Sequence, residues 1–211
     1  AHGAGGYINP LPGSVNEDLE NLSPERQAKT DFGIRYKQPK IGVITLTPFY
    51  VYRDDGLAIT PAWDSVFYNA DTLLLPIHEN VDMKTGGIEI ELKTALHFNA
   101  ISGFLNASFM RHSKRVDGEF KKDEEKPAVI LGGGLNIDIF GIDMNIYGKH
   151  VSAYESSRFA LDRDFHPLGD YSTLDFSAGY SFSFSSGHSF RVFGAIENMT
   201  DRHFSTVVGY F

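Results

Sequence analysis

The chain has 211 residues and contains no cysteine. This absence excludes disulfide frameworks, zinc ribbons, iron–sulfur clusters and cysteine nucleophiles. The sequence also lacks an excess of basic charge, since its formal net charge is −8 at pH 7. Proteins that bind nucleic acid without sequence preference usually carry a basic face. We therefore predict that nucleic acid is not a partner.

Long apolar runs are missing as well. No stretch approaches the roughly 18 consecutive apolar residues of a transmembrane helix, and no segment has the 3.6-residue period of a convincing amphipathic helix. The composition is nevertheless that of a folded chain, because hydrophobic residues make up 42% and aromatic residues 13%.

Apolar residues instead recur at every second position. From Leu174 to Phe184, the even positions are apolar and the odd positions are Asp, Ser or Gly. Strict alternation over this length is typical of a half-buried β-strand. The pattern predicts eight long strands, at residues 27–38, 41–60, 82–97, 100–113, 127–140, 142–157, 171–184 and 189–200.

The predicted connections alternate between short and long. Four are tight, near residues 38–40, 97–99, 140–141 and 185–188, whereas 61–81, 114–126, 158–170 and the segment from 201 onward are long and polar. Alternate connections of an antiparallel meander lie at the same end, so one end is short and the other elaborated. This organisation, with strands of which many have 11–16 residues, is typical of outer-membrane barrels. A soluble β-sandwich is the alternative fold.

A barrel of this kind places one face of each strand against lipid and the other against the lumen. Ser177, Ser181 and Glu91 are predicted to face the lumen. The residues predicted to face lipid are Phe32, Ile34, Ile88, Ile90, Leu92, Ile142, Met144, Leu174, Phe176, Tyr180 and Phe182.

Four segments, in order along the chain, resemble the TonB-dependent outer-membrane receptors. They are LSPE at 22–25 with DFGIRY at 31–36, NVD at 80–82 with GGIEIE at 86–91, PLGDY at 167–171 with LD at 174–175, and ENMTDR at 197–202 with GY at 209–210. Each resembles a strand or strand-flanking motif of that family, and together they extend over nearly the whole chain.

The resemblance implies the C-terminal part of a transmembrane barrel of roughly 22 strands, an all-β antiparallel up-and-down meander. Residues 1–26 would form an extracellular loop leading into the first strand, and 27–211 the barrel segment. A TonB box, a plug domain, the earlier strands and the last strand, all expected in the family, are not visible in this sequence. The resemblance also implies a receptor in the cell outer membrane that is not an enzyme. It would take up an iron chelate such as a ferric siderophore, with lipid, its own plug and the TonB complex as partners.

Aromatic and arginine side chains cluster near the ends of the long connections. Such groups suit a flat anionic chelate through stacking and charge-assisted hydrogen bonds; an aromatic girdle at the membrane interface is the alternative. The candidate ligand-binding residues are Arg53, Trp63, Tyr68, Arg111, Tyr154, Arg158 and Arg163.

Other features predict no catalysis and no resident cofactor or metal. Segment 114–126 balances five cationic and five anionic residues and is interpreted as a solvated flexible loop. Gly132-Gly133-Gly134 lies inside a strand and indicates a bulge, strong curvature or the close approach of another backbone. Two other functions stay open: a different outer-membrane barrel, such as a porin or an autotransporter-like protein, and a soluble β-sandwich that binds a glycan.

Overall fold

The chain folds as an open antiparallel sheet of long strands. The computed structural model describes residues 22–68, 71–95, 97, 100–156, 166–185 and 187–204. Within these ranges no helix is long and apolar enough to span a membrane. The strands are β1 (Arg26–Asp31), β2 (Ile34–Gln38), β3 (Gly42–Tyr68), β4 (Asp71–Thr94), β5 (Ile101–Val116), β6 (Glu119–Lys122), β7 (Val129–Ile139), β8 (Ile142–Val151), β9 (Tyr154–Ser156), β10 (His166–Leu168), β11 (Tyr171–Ser183) and β12 (Ser189–Ile196).

The strands pair in the order of a meander. The main sheet runs β1-β3-β4-β5-β7-β8-β11-β12, with β2 also on β3 and β6 also on β5, while β9 and β10 form a separate pair. Each pairing is antiparallel. The predicted all-β antiparallel meander is therefore confirmed.

Tight turns join the strands at one end of the sheet, which we call the turn end. Between β7 and β8, Ile139 pairs with Ile142, and the two residues of the turn, Phe140 and Gly141, have φ of 53° and 78°. Two positive φ values are those of a type I′ turn, whose twist matches that of the flanking strands. The opposite end of the sheet is called the loop end.

Two of the predicted long loops are wrong in part, because the strands continue through them. β3 and β4 pair as far as Tyr68 and Asp71, with register shifts between Arg53 and Gly56 and between Ile59 and Trp63. The predicted connection 61–81 is thus largely a protruding hairpin. Segment 114–126 likewise contains the end of β5 and all of β6. In the third long connection, residues 157–165 lie outside the described residues.

The register places all eleven residues predicted to face lipid on one face of the sheet, which we call the apolar face. Phe176, for example, pairs with Ile146 of β8 and Ile196 of β12, and Ile90 pairs with Leu46 and Ala107. Large apolar side chains on this face are exposed, with 66% of the surface of Phe32 and 41% of that of Phe182 accessible. Since no described element covers the face, contact with lipid remains the prediction for it.

The gap between β1 and β2 has a local cause in Pro48. The two strands share one register against β3, because Asp31 pairs with Phe49 and Ile34 with Leu46. At the missing pair, the Phe32 N–H donates to the Pro48 carbonyl oxygen at 3.1 Å. Proline has no N–H to return the bond, so β1 and β2 form one strand that is interrupted at two residues, Phe32 and Gly33.

Two of the three glycines at 132–134, Gly132 and Gly134, make room for aromatic side chains. The pairing of β7 with both neighbours has no register shift there, so the predicted bulge is wrong. A Cβ on Gly134 would lie 2.9 Å from the Phe104 ring, and one on Gly132 would lie 3.1 Å from the Tyr147 hydroxyl. Phe104 and Tyr147 stack with ring centroids 6.1 Å apart. The glycines therefore let two rings lie flat across the sheet.

The ENMTDR segment closes against the start of β11. The Asn198 N–H donates to the Asp175 carboxylate at 2.7 Å, and Arg202 donates to the Asp170 carbonyl oxygen at 3.2 Å. Phe204 stacks on Tyr171 with centroids 3.9 Å apart. The predicted last strand therefore ends at Ile196, and residues 197–204 form a structured clamp instead.

An arginine at position 176 tests the assignment of the two faces. Phe176 lies near mid-height of β11, whereas Ser177 lies on the opposite, polar face. Arginine on the lipid side of a barrel costs roughly 2–4 kcal/mol at mid-depth. We expect Phe176→Arg in the full-length protein to impair folding into liposomes, measured by urea titration, and Ser177→Arg to stay near wild type. An equal loss of folding in the two variants would contradict the assignment of the faces.

Candidate functional site: a polar groove at the loop end

A groove opens on the polar face of the sheet where β3 and β4 extend past the β5–β6 hairpin. Its volume is about 390 Å³. The walls carry both signs of charge as well as short apolar side chains, and they include Ala58, Glu79, Val81, Lys114, Lys121 and Glu155. We call this space the polar groove.

The β5–β6 hairpin forms because of its two central residues. Asp117 and Gly118 have φ of 54° and 81°, the positive values of a type I′ turn, for which Asp-Gly is a preferred sequence. The register pairs Lys114 with Lys121 and so places both ammonium groups on the polar face. The interpretation of 114–126 as a flexible solvated loop is therefore wrong for this hairpin.

A buried carboxylate anchors the segment that follows the hairpin. Asp123 is only 5% exposed. Its N–H donates to the His112 carbonyl oxygen at 3.0 Å, and its carboxylate lies 3.0 Å from Lys126 Nζ and accepts from the Glu125 N–H. Burial alone would raise the pKa of Asp123, but the charge and hydrogen bond of Lys126, with the Glu125 N–H, hold it below its ordinary value.

Ion pairs hold the charged groups around the groove. Lys114 Nζ lies 2.6 Å from Glu125 Oε1, and the Glu155 N–H donates to the Glu124 carbonyl oxygen at 2.8 Å, which ties β9 to the same segment. The groove thus presents ammonium and carboxylate groups on a fixed backbone. Such a surface can bind a polar ligand through charge-assisted hydrogen bonds.

Arg53 is the predicted ligand residue that the structure places near the groove. It lies on the polar face, paired with Gln27 and Met83, immediately before the first register shift of β3. Its guanidinium is exposed and lies 3.7 Å from the carboxylate of Glu25. Arg111 has the opposite orientation, because its partner in β4 is Gly86, on the apolar face. The two arginines are therefore not brought together.

Tyr154 lies in β9, opposite Leu168 of β10, and is half-buried. Burial, followed by the influence of Tyr171, raises the pKa of its hydroxyl. Trp63 and Tyr68 fall on the extended part of β3, where only the backbone is described. Arg158 and Arg163 lie outside the described residues.

Sequence reasoning missed Lys114, Lys121 and Asp123 as residues of a defined site. The Asp117-Gly118 dipeptide is the signal that could have found the hairpin. Within the ranges that the structure describes, no group of three or more His, Asp or Glu side chains could hold a metal ion.

The family described as "TonB dependent receptor-like, beta-barrel" matches residues 3–199 of the chain. No curated protein matches the sequence. The chain superimposes on the copper transporter OprC with a TM-score of 0.64 and 16% identity, covering 92% of this chain and 28% of that one.

Two further solved structures share the fold. One is FpvA of P. aeruginosa in complex with a heterologous pyoverdine and iron, with a TM-score of 0.62, 15% identity and coverage of 89% and 25% of the two chains. The other is the siderophore receptor PirA from Acinetobacter baumannii, with a TM-score of 0.58, 20% identity and coverage of 86% and 28%. The chain thus spans about a quarter of the length of these proteins, and at such identities the likeness concerns the fold.

Removing the charge of Asp123 should loosen the wall of the polar groove. Loss of a buried hydrogen bond to a charged group costs about 1.5–3 kcal/mol, so Asp123→Asn should speed trypsin cleavage after Lys121 and Lys122 by about tenfold or more in the full-length protein. Because the pKa of Asp123 is lowered, its contribution is complete above the ordinary carboxyl pKa and is lost as the pH falls through the folded value. Acid should therefore loosen the wild-type segment too.

Asp117→Asn is the matched control for that variant. The carboxylate of Asp117 is 85% exposed and pairs with Lys121 at 3.1 Å; exposed pairs contribute little, and asparagine tolerates positive φ. Cleavage of this variant should match wild type. Equal cleavage of the two variants would show that burial of Asp123 does not hold the segment.

Proposed function

The chain belongs to the TonB-dependent receptor β-barrel family, and from this premise we propose that it forms part of a barrel for active uptake of a ferric siderophore or similar iron chelate. The family consists of outer-membrane transport receptors, and the chain is accordingly part of an outer-membrane barrel. The proposal includes a plug domain and the TonB complex as partners, and an extracellular position for the residues before β1.

The observation that carries the proposal is the charged polar groove on the face opposite the apolar one. Ferric chelates are commonly anionic, and Lys114, Lys121 and the nearby Arg53 supply cations on that face. A guanidinium can bind chelate oxygens bidentately. Two of the structural neighbours support the same ligand class, since one holds a pyoverdine–iron complex and the other is named a siderophore receptor.

Copper is a second candidate cargo, because another neighbour is a copper transporter. His112 lies on the polar face with its Nδ1 3.0 Å from Thr85 Oγ1, and its Nε2 is buried without a hydrogen-bond partner among the described residues. Met110 is two residues away on the same strand and face, and Met83 lies diagonally across on β4. Imidazole and thioether groups are preferred copper ligands.

Arg53→Ala tests chelate binding at the loop end. Loss of one charge-assisted contact costs about 1.5–3 kcal/mol, which is roughly ten- to a hundredfold in affinity. We expect the Arg53→Ala variant to lose affinity by that factor. The measurement is the binding of ⁵⁵Fe-labelled catecholate, hydroxamate and mixed siderophores to cells with matched surface levels of the full-length protein. ⁶⁴Cu serves as the competing cargo, and uptake of copper without any iron chelate would favour the second candidate.

Arg35→Ala is the matched control. Arg35 lies on the same polar face and pairs with Thr45, about 26 Å along β3 from Arg53 toward the turn end. Siderophore binding by the Arg35→Ala variant should stay near wild type. A loss in Arg35→Ala without one in Arg53→Ala would place the ligand at the other end of the sheet.

A loop deletion tests the candidate residues that lie outside the described part of the chain. In the 158–170 connection, Arg158 precedes Phe159 and Arg163 lies two residues before Phe165, so deletion of 159–166 removes Arg163 and both phenylalanines and keeps Arg158. We expect deletion of 159–166 from the full-length protein to weaken binding and uptake of the iron chelate while the barrel still assembles. Lys40→Ala and His188→Ala, at the turn end, should leave both near wild type. Normal binding by the deletion variant would remove this loop from the proposed site.

A further inference from the structure

Toward the loop end, positively charged residues interrupt the apolar face. A set of residues that lie side by side on adjacent strands is called a row. In the described strands, no charged residue lies on this face between the tight turns and the row formed by Tyr50, Gly86 and Arg111. Arg111 is the first charge of that row, and Lys84 follows in the next row, opposite Ser113. Their position on this face separates them from the polar groove.

The height of this row matches the edge of a bilayer. Arg111 is ten residues along β5 from Ile101, which begins the strand at the turn end. Ten residues span about 33 Å of strand, and at the tilt of membrane barrels this projects to about 25 Å, the usual height of the apolar band. Arg111 and Lys84 therefore lie where lipid headgroups begin.

A notch separates Tyr50 from Arg111 in the row. Gly86 lies between them and has no side chain, and a Cβ placed there would meet only the Tyr50 ring at 3.5 Å and the Phe49 carbonyl oxygen at 3.9 Å. Lys84 and Arg111 are diagonal neighbours across β4 and β5, a separation of about 7–8 Å that long side chains can close. In the structure Lys84 Nζ lies over the Phe120 ring of β6, on the far side of β5. A rotation of this side chain would bring it, together with Arg111, to one anion held in the notch, which we call the Gly86 notch.

The carboxylate nearest to Lys84 is engaged by another cation and does not neutralise it. Lys84 Nζ lies 3.5 Å above the centre of the Phe120 ring. Arg115, in the next row, is paired with the Asp82 carboxylate at 2.8 Å, and that carboxylate also accepts from the Asp55 N–H at 3.3 Å. Asp82 is thus engaged by Arg115, while Lys84 and Arg111 have no ion-pair partner in the ranges that the structure describes.

We propose that the Gly86 notch binds the phosphate of an anionic membrane lipid. Arg111 and Lys84 would donate charge-assisted hydrogen bonds to the phosphate oxygens, and Tyr50 would lie at the headgroup level as aromatic girdle residues do. The uncharged face below the notch offers a surface for the acyl chains. A free phosphate would lack that second contact, so the arrangement favours a lipid over a soluble anion.

The test uses the full-length protein in neutral detergent and native mass spectrometry. Phosphatidylglycerol, phosphatidylcholine and inorganic phosphate are titrated separately onto wild type, Lys84→Gln/Arg111→Gln and Arg53→Gln. Arg53→Gln removes a cation near the same height on the polar face and serves as the control. We expect wild type to prefer phosphatidylglycerol, the double variant to bind it at least about tenfold more weakly, and the control to match wild type.

Three results would overturn the proposal. The first is equal binding of the two lipids by wild type, and the second is binding of inorganic phosphate as tight as that of phosphatidylglycerol. The third is unchanged phosphatidylglycerol binding by a double variant that still shows the heat-modifiable mobility of a folded barrel. None of them bears on the cargo, because siderophore binding is measured with Arg53→Ala.

Discussion

The hydrogen-bond ladder between strands is the constraint on which the structure depends. In hydrocarbon each unpaired backbone group costs several kcal/mol, so a membrane wall made of strands must pair them continuously. The long strands, the tight turns and the regular register all serve that pairing. Where side chains would interfere, glycine replaces them, as at Gly134 beneath the Phe104 ring. Pro48 marks the one position between β1 and β2 where the ladder loses a donor, and the register continues unchanged on both sides of it.

Regular strand pairing also places successive residues of a strand on opposite faces of the sheet. Lys84 and Thr85 are adjacent in β4, yet Lys84 lies over the Phe120 ring on the apolar face and Thr85 contacts His112 on the polar face. Arg115 and Lys114 divide in the same way between Asp82 and Glu125. Because the side-chain period is two, a slip of one residue would exchange the faces along a whole strand. Gly179 illustrates the dependence of side-chain contacts on the register. Because it has no side chain, Arg191 of β12 reaches Asp143 of β8 at 2.6 Å across β11.

Sequence alone predicts the period-two elements well and the loop end poorly. Alternation from Leu174 to Phe184 corresponds closely to β11, and the tight turns fall where glycine, proline and asparagine cluster. Prolines and mixed polarity in 61–81 indicate a loop, but register shifts absorb the irregularity and the pairing continues. The balanced charge of segment 114–126 resembles that of a solvated loop, whereas a buried carboxylate such as Asp123 depends on neighbours that composition does not reveal. The placement of Arg53 and Arg111 on opposite faces required the register itself.

The sequential pairing of the main sheet also has a consequence for assembly. Every strand of the main sheet pairs with its neighbour along the chain or with a strand separated from it by only one or two short strands. Pairing therefore joins segments that are close in the order of the chain, and such topologies cross smaller entropic barriers than those that pair distant segments. The β7–β8 and β5–β6 hairpins, closed by the two-residue turns Phe140–Gly141 and Asp117–Gly118, have very short loops to close. Growth of the wall can thus advance one hairpin at a time from local nuclei, without first bringing distant segments of the chain together.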